Sequence, residues 1–228
     1  EPKRVIAHYM TDMIPRTQWP LVRWLNPELE DPKGSTAAIG GMQQTVPMAA
    51  LHLKKANLEK AVDFEIRAAR QMGVDGFQFY YPLGDNVQML TRSYNKIVRE
   101  FIRQSEDKHR GFKISICLSH PGTREKKSQS QKIGLWAPAI RELVEPTKNS
   151  PAWLRTPKGD LMMFLWVGDP LADGAHGRAV NAQQVKLVGN AYQELAKAVG
   201  TPIGFVYQIR HFKNDPAFIN ALKMGDDK

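Results

Sequence analysis

Cysteine is nearly absent from this 228-residue chain: Cys117 stands alone. That excludes an intrachain disulfide framework and any zinc site built from several thiolates. Long apolar runs are missing too, and nothing approaches the roughly 18 consecutive apolar residues that span a bilayer. Neither Gly-x-Gly-x-x-Gly nor a P-loop occurs, and Gly174-Ala175-His176-Gly177 reads as a loop, so no nucleotide cofactor is expected. The absence of a Gly-x-Ser-x-Gly elbow removes one common serine nucleophile. His-x-His and His-Glu-x-x-His are also missing. No metal is therefore expected, although His8, His120 and His211, at the ends of different strand candidates, could together with Asp169 in principle ligate one. Cys117 itself lies mid-strand between Ile116 and Leu118, a place for packing rather than nucleophilic attack.

What is present is an excess of cations. Lys and Arg number 32 against 23 Asp and Glu, giving a net charge of +9. Such a balance invites a nucleic-acid reading. The surplus, however, gathers in Lys108–Lys113 (KHRGFK) and Arg124–Lys132 (REKKSQSQK). The second run lacks the interleaved aromatics of a base-stacking platform, so a solvated loop is expected and nucleic acid is disfavoured. At 42% hydrophobic the chain can bury one sizeable core, and residues 1–228 read as a single domain. It opens on Glu-Pro-Lys-Arg rather than Met, so removal of a leader upstream is one expectation.

Five short apolar runs rich in β-branched and aromatic residues mark strands: 4–10, 74–81, 112–119, 161–167 and 203–209. Their continuity suggests parallel strands covered on both faces. Helical patterns lie between them at 57–72, 87–109, 137–145 and 180–199, with another at 215–224. Strand alternating with helix predicts an α/β fold with a parallel sheet and right-handed crossovers. A closed eight-stranded barrel takes roughly 250 residues, so either a (β/α) barrel is incomplete or truncated here, with a C-terminal segment or partner chain completing it, or the sheet is open. The first connection, about 11–56, is an unusually long insertion. It carries Trp19 and Trp24 on the side where α/β folds bind ligands.

Side chains near strand C-termini are the candidates for function. They are His8, Tyr9 and Asp12; Gln78, Tyr80, Tyr81 and Asp85; His120; Trp166 and Asp169; and Gln208, Arg210 and His211. Aromatic faces that cover C–H patches, together with amides and imidazoles that take hydroxyls in fixed directions, suit sugar rings. Each aromatic also has a plain reading as core packing.

Several of these segments carry a resemblance. Val5-Ile6-Ala7-His8-Tyr9-Met10 resembles the opening strand of the glycoside hydrolase family 71 α-1,3-glucanases. Gly73-Val74-Asp75-Gly76-Phe77 is similar to that family's second strand, an element shared with the α-mannan-cleaving family 99. Phe112–Ile116 resembles the third strand, and Trp153–Asp160 the segment before the fourth. The likeness runs from residue 5 to about 170. It implies a (β/α) barrel acting on α-linked poly- or oligosaccharide, and with that a secreted or periplasmic protein. Two departures stand out. The late-strand Trp-Asn-Asp/Glu-Tyr-x-Glu type of run has no counterpart, and Gly159-Asp160-Leu161 replaces the fourth-strand Lys-Pro. Glycoside hydrolysis uses two carboxyls. The acids placed to serve are Asp12, Asp85, Asp169 and Asp173, with Asp169 foremost and a loop-capping role as its plain reading. The resulting expectation is a glycoside hydrolase; the alternative is a non-catalytic sugar-binding or scaffold module of the same fold.

Overall fold

The computed structural model describes residues 3–9, 58–82, 87–119, 127–166, 171–173 and 182–207. Strands and helices alternate through them: β1 (Ile6–Tyr9), α1 (Leu58–Gln71), β2 (Gly76–Pro82), α2 (Val87–Asp107), β3 (Lys113–Ser119), α3 (Gln129–Val144), β4 (Leu161–Trp166), α4 (Ala182–Val199) and β5 (Ile203–Tyr207). All four strand pairings are parallel and the order in the sheet is β1-β2-β3-β4-β5. Crossovers between parallel neighbours are right-handed, so stepping always in one direction puts every helix on the same face. The contacts agree: α1 meets α2, α2 meets α3, and α3 meets α4.

The fold is therefore α/β, with four helices on one side of a five-stranded parallel sheet. The strands were expected to be covered on both faces, and the helices cover one of them. Among the described residues the second face carries none, and the pleat sorts the strand residues accordingly. Phe77, Phe79 and Tyr81 point to the helices with Ile114, Ile116 and Leu118 beside them in register. His8, Gln78, Tyr80, Ser115 and Cys117 point the other way. Beneath the helices, Tyr9, Phe77, Phe79 and Phe101 form a continuous aromatic cluster with ring centroids 4.7–6.0 Å apart. Phe79 and Phe101, both fully buried, contribute about 3–5 kcal/mol each against truncation to alanine.

Helix ends follow local chemistry. Gly73 (φ 77°) ends α1 in a left-handed cap, with Val74 N–H donating to the Ala69 carbonyl and Gly73 N–H to that of Arg70. Then Asp75 secures the start of β1: its carboxylate accepts from Val5 N–H at 2.8 Å, while its own N–H donates to the Val5 carbonyl. Next, a Cβ on Gly76 would stand 2.3 Å from the Lys113 carbonyl oxygen. Gly-Val-Asp-Gly thus has a complete structural explanation as the joint of α1, β1, β2 and β3.

Helix α3 starts eight residues before the sequence pattern suggested. Ser128 and Gln131 form a reciprocal capping box, and Pro138 sits inside the helix instead of opening it. Residues 129–132 of the basic run, expected as a solvated loop, are helical, and Lys132 is buried. The 215–224 helix expectation and the long first connection lie outside the described residues.

Before β4 the chain adds a wedge. Ile114 N–H donates to the Ala152 carbonyl and Leu154 N–H to the Ile114 carbonyl, so residues 152–154 pair with the lower half of β3. Strand β4 pairs with the upper half, from Cys117 onward. The Ser115 hydroxyl closes the gap between them, donating to the Met162 carbonyl at 2.6 Å. Thr156 then crosses the lower end of β5, where a Cβ on Gly204 would meet its methyl at 2.4 Å. Among the described residues this face carries no helix, and it is plugged at the N-terminal ends of the strands.

Candidate functional site

The opposite end of that face gathers side chains from three strands. His8 of β1 lies with its ring centroid 6.5 Å from Tyr80 of β2, at 72°, and 6.0 Å from Trp166 of β4, at 31°. In a flat sheet β1 and β4 stand about 14 Å apart, three strand spacings. The sheet reaches the 6.0 Å approach by curling toward this face, which is consequently concave. Trp166 remains 43% exposed, unusual for a tryptophan on a parallel sheet and sufficient to receive a ligand ring.

Polar groups lie beneath these rings. Gln78 is the register partner of both His8 and Ser115, and its Oε1 is shielded from solvent without a hydrogen-bond partner among the described residues. A stranded acceptor of this kind costs about 1–3 kcal/mol until a donor reaches it. Ser119, buried, pairs in register with Trp166. Cys117, also buried, pairs with Tyr80 and Phe164, and burial pushes its thiol up to about 11. It is a packing thiol at neutral pH. Partial burial lowers the His8 pKa below its ordinary 6.5, so the imidazole is neutral at pH 7 and offers one donor and one acceptor.

Two expected ligand contacts belong elsewhere. Tyr81 is fully buried under the helices, where its hydroxyl donates toward Asn95 Oδ1 (2.8 Å) and the Ala139 carbonyl (3.1 Å). Tyr9 packs on Phe77, Phe79 and Phe101; burial first, then the Glu65 carboxylate, push its phenol well above the ordinary value. The reason is the two-residue repeat of a strand: neighbours such as His8 and Tyr9 cannot both face the same side. Phe164 is a concave-face residue absent from the sequence-derived set, and the same alternation, counted back from Trp166, would have found it; Ser119, at the end of β3, shares that face. Asp12, Trp19, Trp24, Asp85, His120, Asp169, Gln208, Arg210 and His211 lie outside the described residues. Asp173 is described and exposed; it accepts from Gln129 N–H at 2.8 Å and so ties the segment after β4 to the start of α3.

Charge is scarce here. Among the described residues of the five strands, the concave face carries no carboxylate. Its one Lys or Arg, Lys113, sits at the plugged end and donates to the Pro151 carbonyl. The basic segment before β3 is engaged as well. Lys108 pairs with Glu59 at 3.1 Å, and buried His109 meets Asp63 at 2.9 Å. No three of His, Cys, Asp and Glu gather as a metal site among the described residues, and no described helix is long and apolar enough to cross a membrane. A separate cavity of about 350 Å³ lies on the helical side, between α2 and the turn after α3. Several of its charged groups already have partners: Arg103 with Glu59, Glu100 and Asp107, and Lys148 with Glu145.

No protein-family model, curated protein or solved structure matches this chain.

Proposed function

We propose that the chain is a carbohydrate-active protein whose concave face receives an α-linked oligo- or polysaccharide at the C-terminal ends of the strands. The observation that carries this reading is the convergence of His8, Tyr80 and exposed Trp166 above the unsatisfied Gln78 Oε1. An indole face covers the C–H side of a pyranose, while a neutral imidazole and an amide oxygen address its hydroxyls in fixed directions. Sequential strand order and the curl of the sheet support reading the architecture as part of a (β/α) barrel, in which ligands bind at this same end.

The chemistry proposed is glycoside hydrolysis, with Asp169, Asp85 and Asp12 as the acids that protonate the leaving oxygen and activate water or attack the anomeric carbon. The test is a screen of α-glucans and α-mannans for new reducing ends, with Asp169→Asn as control, beside retention of the protein on glycan columns. Release that Asp169→Asn abolishes is the expected result. The absence of both release and retention would refute the carbohydrate reading.

One observation favours a second reading, a sugar-binding module without catalysis: the strand residues of the concave face supply no carboxylate among those described. Retention on a glycan column without any release of reducing ends would select it.

A further inference from the structure

We infer that His8 is a positioning residue for Trp166: it holds the indole in place as a stacking platform, and its protonation weakens ligand binding there. The sugar-binding half of this inference rests on the carbohydrate reading; the coupling of the two rings does not.

The geometry supplies the argument. Trp166 is the last residue of β4 and 43% exposed, so much of the indole is open to a ligand. His8 lies 6.0 Å away, centroid to centroid, with the ring planes tilted by only 31°. That separation is too small for a pyranose to enter between two rings, since each stacking contact takes about 3.5–4.0 Å. A sugar must therefore use other indole surface, and His8 serves as the support on this side. Tyr80, edge-on to His8 at 72°, holds the imidazole in turn. The three rings form a relay across β2, β1 and β4 that the order of the sheet would not bring together without its curl.

The support is sensitive to protonation. The strands around His8 direct two titratable side chains to the same face among the described residues, the Tyr80 phenol and the Cys117 thiol, and no carboxylate. Lys113 lies at the far end of that face, held by the Pro151 carbonyl. No described anion therefore offsets a charge on His8, and the lowered pKa of the imidazole fits this setting. Once protonated, the ring either draws indole π-density toward itself as a cation or turns toward water. Both weaken a stack on the rest of the indole.

The experiment follows Trp166 emission, taken as the difference between wild type and Trp166→Phe, from pH 8 to pH 5. Imidazolium quenches indole, so this emission should fall with a midpoint below 6.5 in the wild type and stay flat in His8→Phe, which keeps a ring but no charge. An α-1,3-linked glucotetraose and an α-mannotetraose are titrated in parallel. His8→Ala should weaken binding of the sugar that is recognised about fivefold at pH 7. His8→Phe should restore it and remove its loss at pH 5. Trp166 emission that ignores pH in the wild type, or that still titrates in His8→Phe, would overturn the inference. If His8→Ala does not fold, the wild type and His8→Phe decide by themselves. If the emission titrates as expected but neither sugar binds at any pH, the ring coupling stands and the carbohydrate reading fails.

Discussion

Removing one oxygen from Tyr81 separates a structural tyrosine from a ligand contact. Its ring is fully buried, and its hydroxyl lies 2.8 Å from Asn95 Oδ1 and 3.1 Å from the Ala139 carbonyl. Asn95 is also inaccessible to solvent, and its Nδ2 reaches the same carbonyl at 3.3 Å. In Tyr81→Phe the ring volume is kept, so no large cavity opens. The amide donor of Asn95 keeps its bond, while Oδ1 loses this donor and has no water to replace it. A buried acceptor left in that state costs about 1–3 kcal/mol, and about 2 kcal/mol is the expected loss. For a chain of this size that lowers the melting temperature by about 4–8 °C. Urea unfolding followed by far-UV circular dichroism should show a lower midpoint with an unchanged slope. Adding Asn95→Leu removes the stranded acceptor too, so the double variant should be less destabilised than the two single changes added together. Oligosaccharide binding at the concave face should be untouched by Tyr81→Phe. A variant of wild-type stability with weakened binding would show that Tyr81 serves the ligand side of the sheet, and would refute the assignment of faces.

Three further outcomes follow from the same structure. Gly76→Ala places a methyl 2.3 Å from the Lys113 carbonyl oxygen, a contact only backbone movement relieves, so stability should fall by about 3 kcal/mol in urea titration. Cys117, buried and pushed up to about 11, should resist a thiol-specific disulfide reagent at pH 8 in the native protein and react at once in denaturant. Asp63 has its pKa lowered overall: burial opposes this, but the His109 hydrogen bond and the Arg67 charge outweigh it. A depressed carboxyl contributes stability above its unfolded value near 3.8 that is lost as pH falls through its folded value. Asp63→Asn should therefore flatten the loss of stability below about pH 4 in acid titrations; an unchanged acid limb would remove Asp63 from it.

Particular residues show how far sequence carried this protein. The apolar runs and the stripe of Val62, Ile66 and Ala69 sufficed for five strands, three of the helices and a parallel α/β arrangement, because burial enforces those periods locally. Helix α3 was placed eight residues late, because the Ser128–Gln131 capping box was read as part of a solvated loop. Strand ends pointed to His8, Gln78, Tyr80 and Trp166, but grouped them with Tyr9 and Tyr81, whose side chains alternate to the other face.

The sequence by itself determined the order and type of the elements and the residues that end the strands, since periodicity, caps and glycines act over a few positions. Only the tertiary structure decided which face of each strand meets the helices, and that the sheet curls until β1 and β4 side chains approach. Both depend on pairing between residues more than 35 positions apart, such as Gly76 with Lys113 and Ile6 with Gly76, and no local pattern encodes the curvature that results. That curvature is what turns three separate rings on β1, β2 and β4 into one surface.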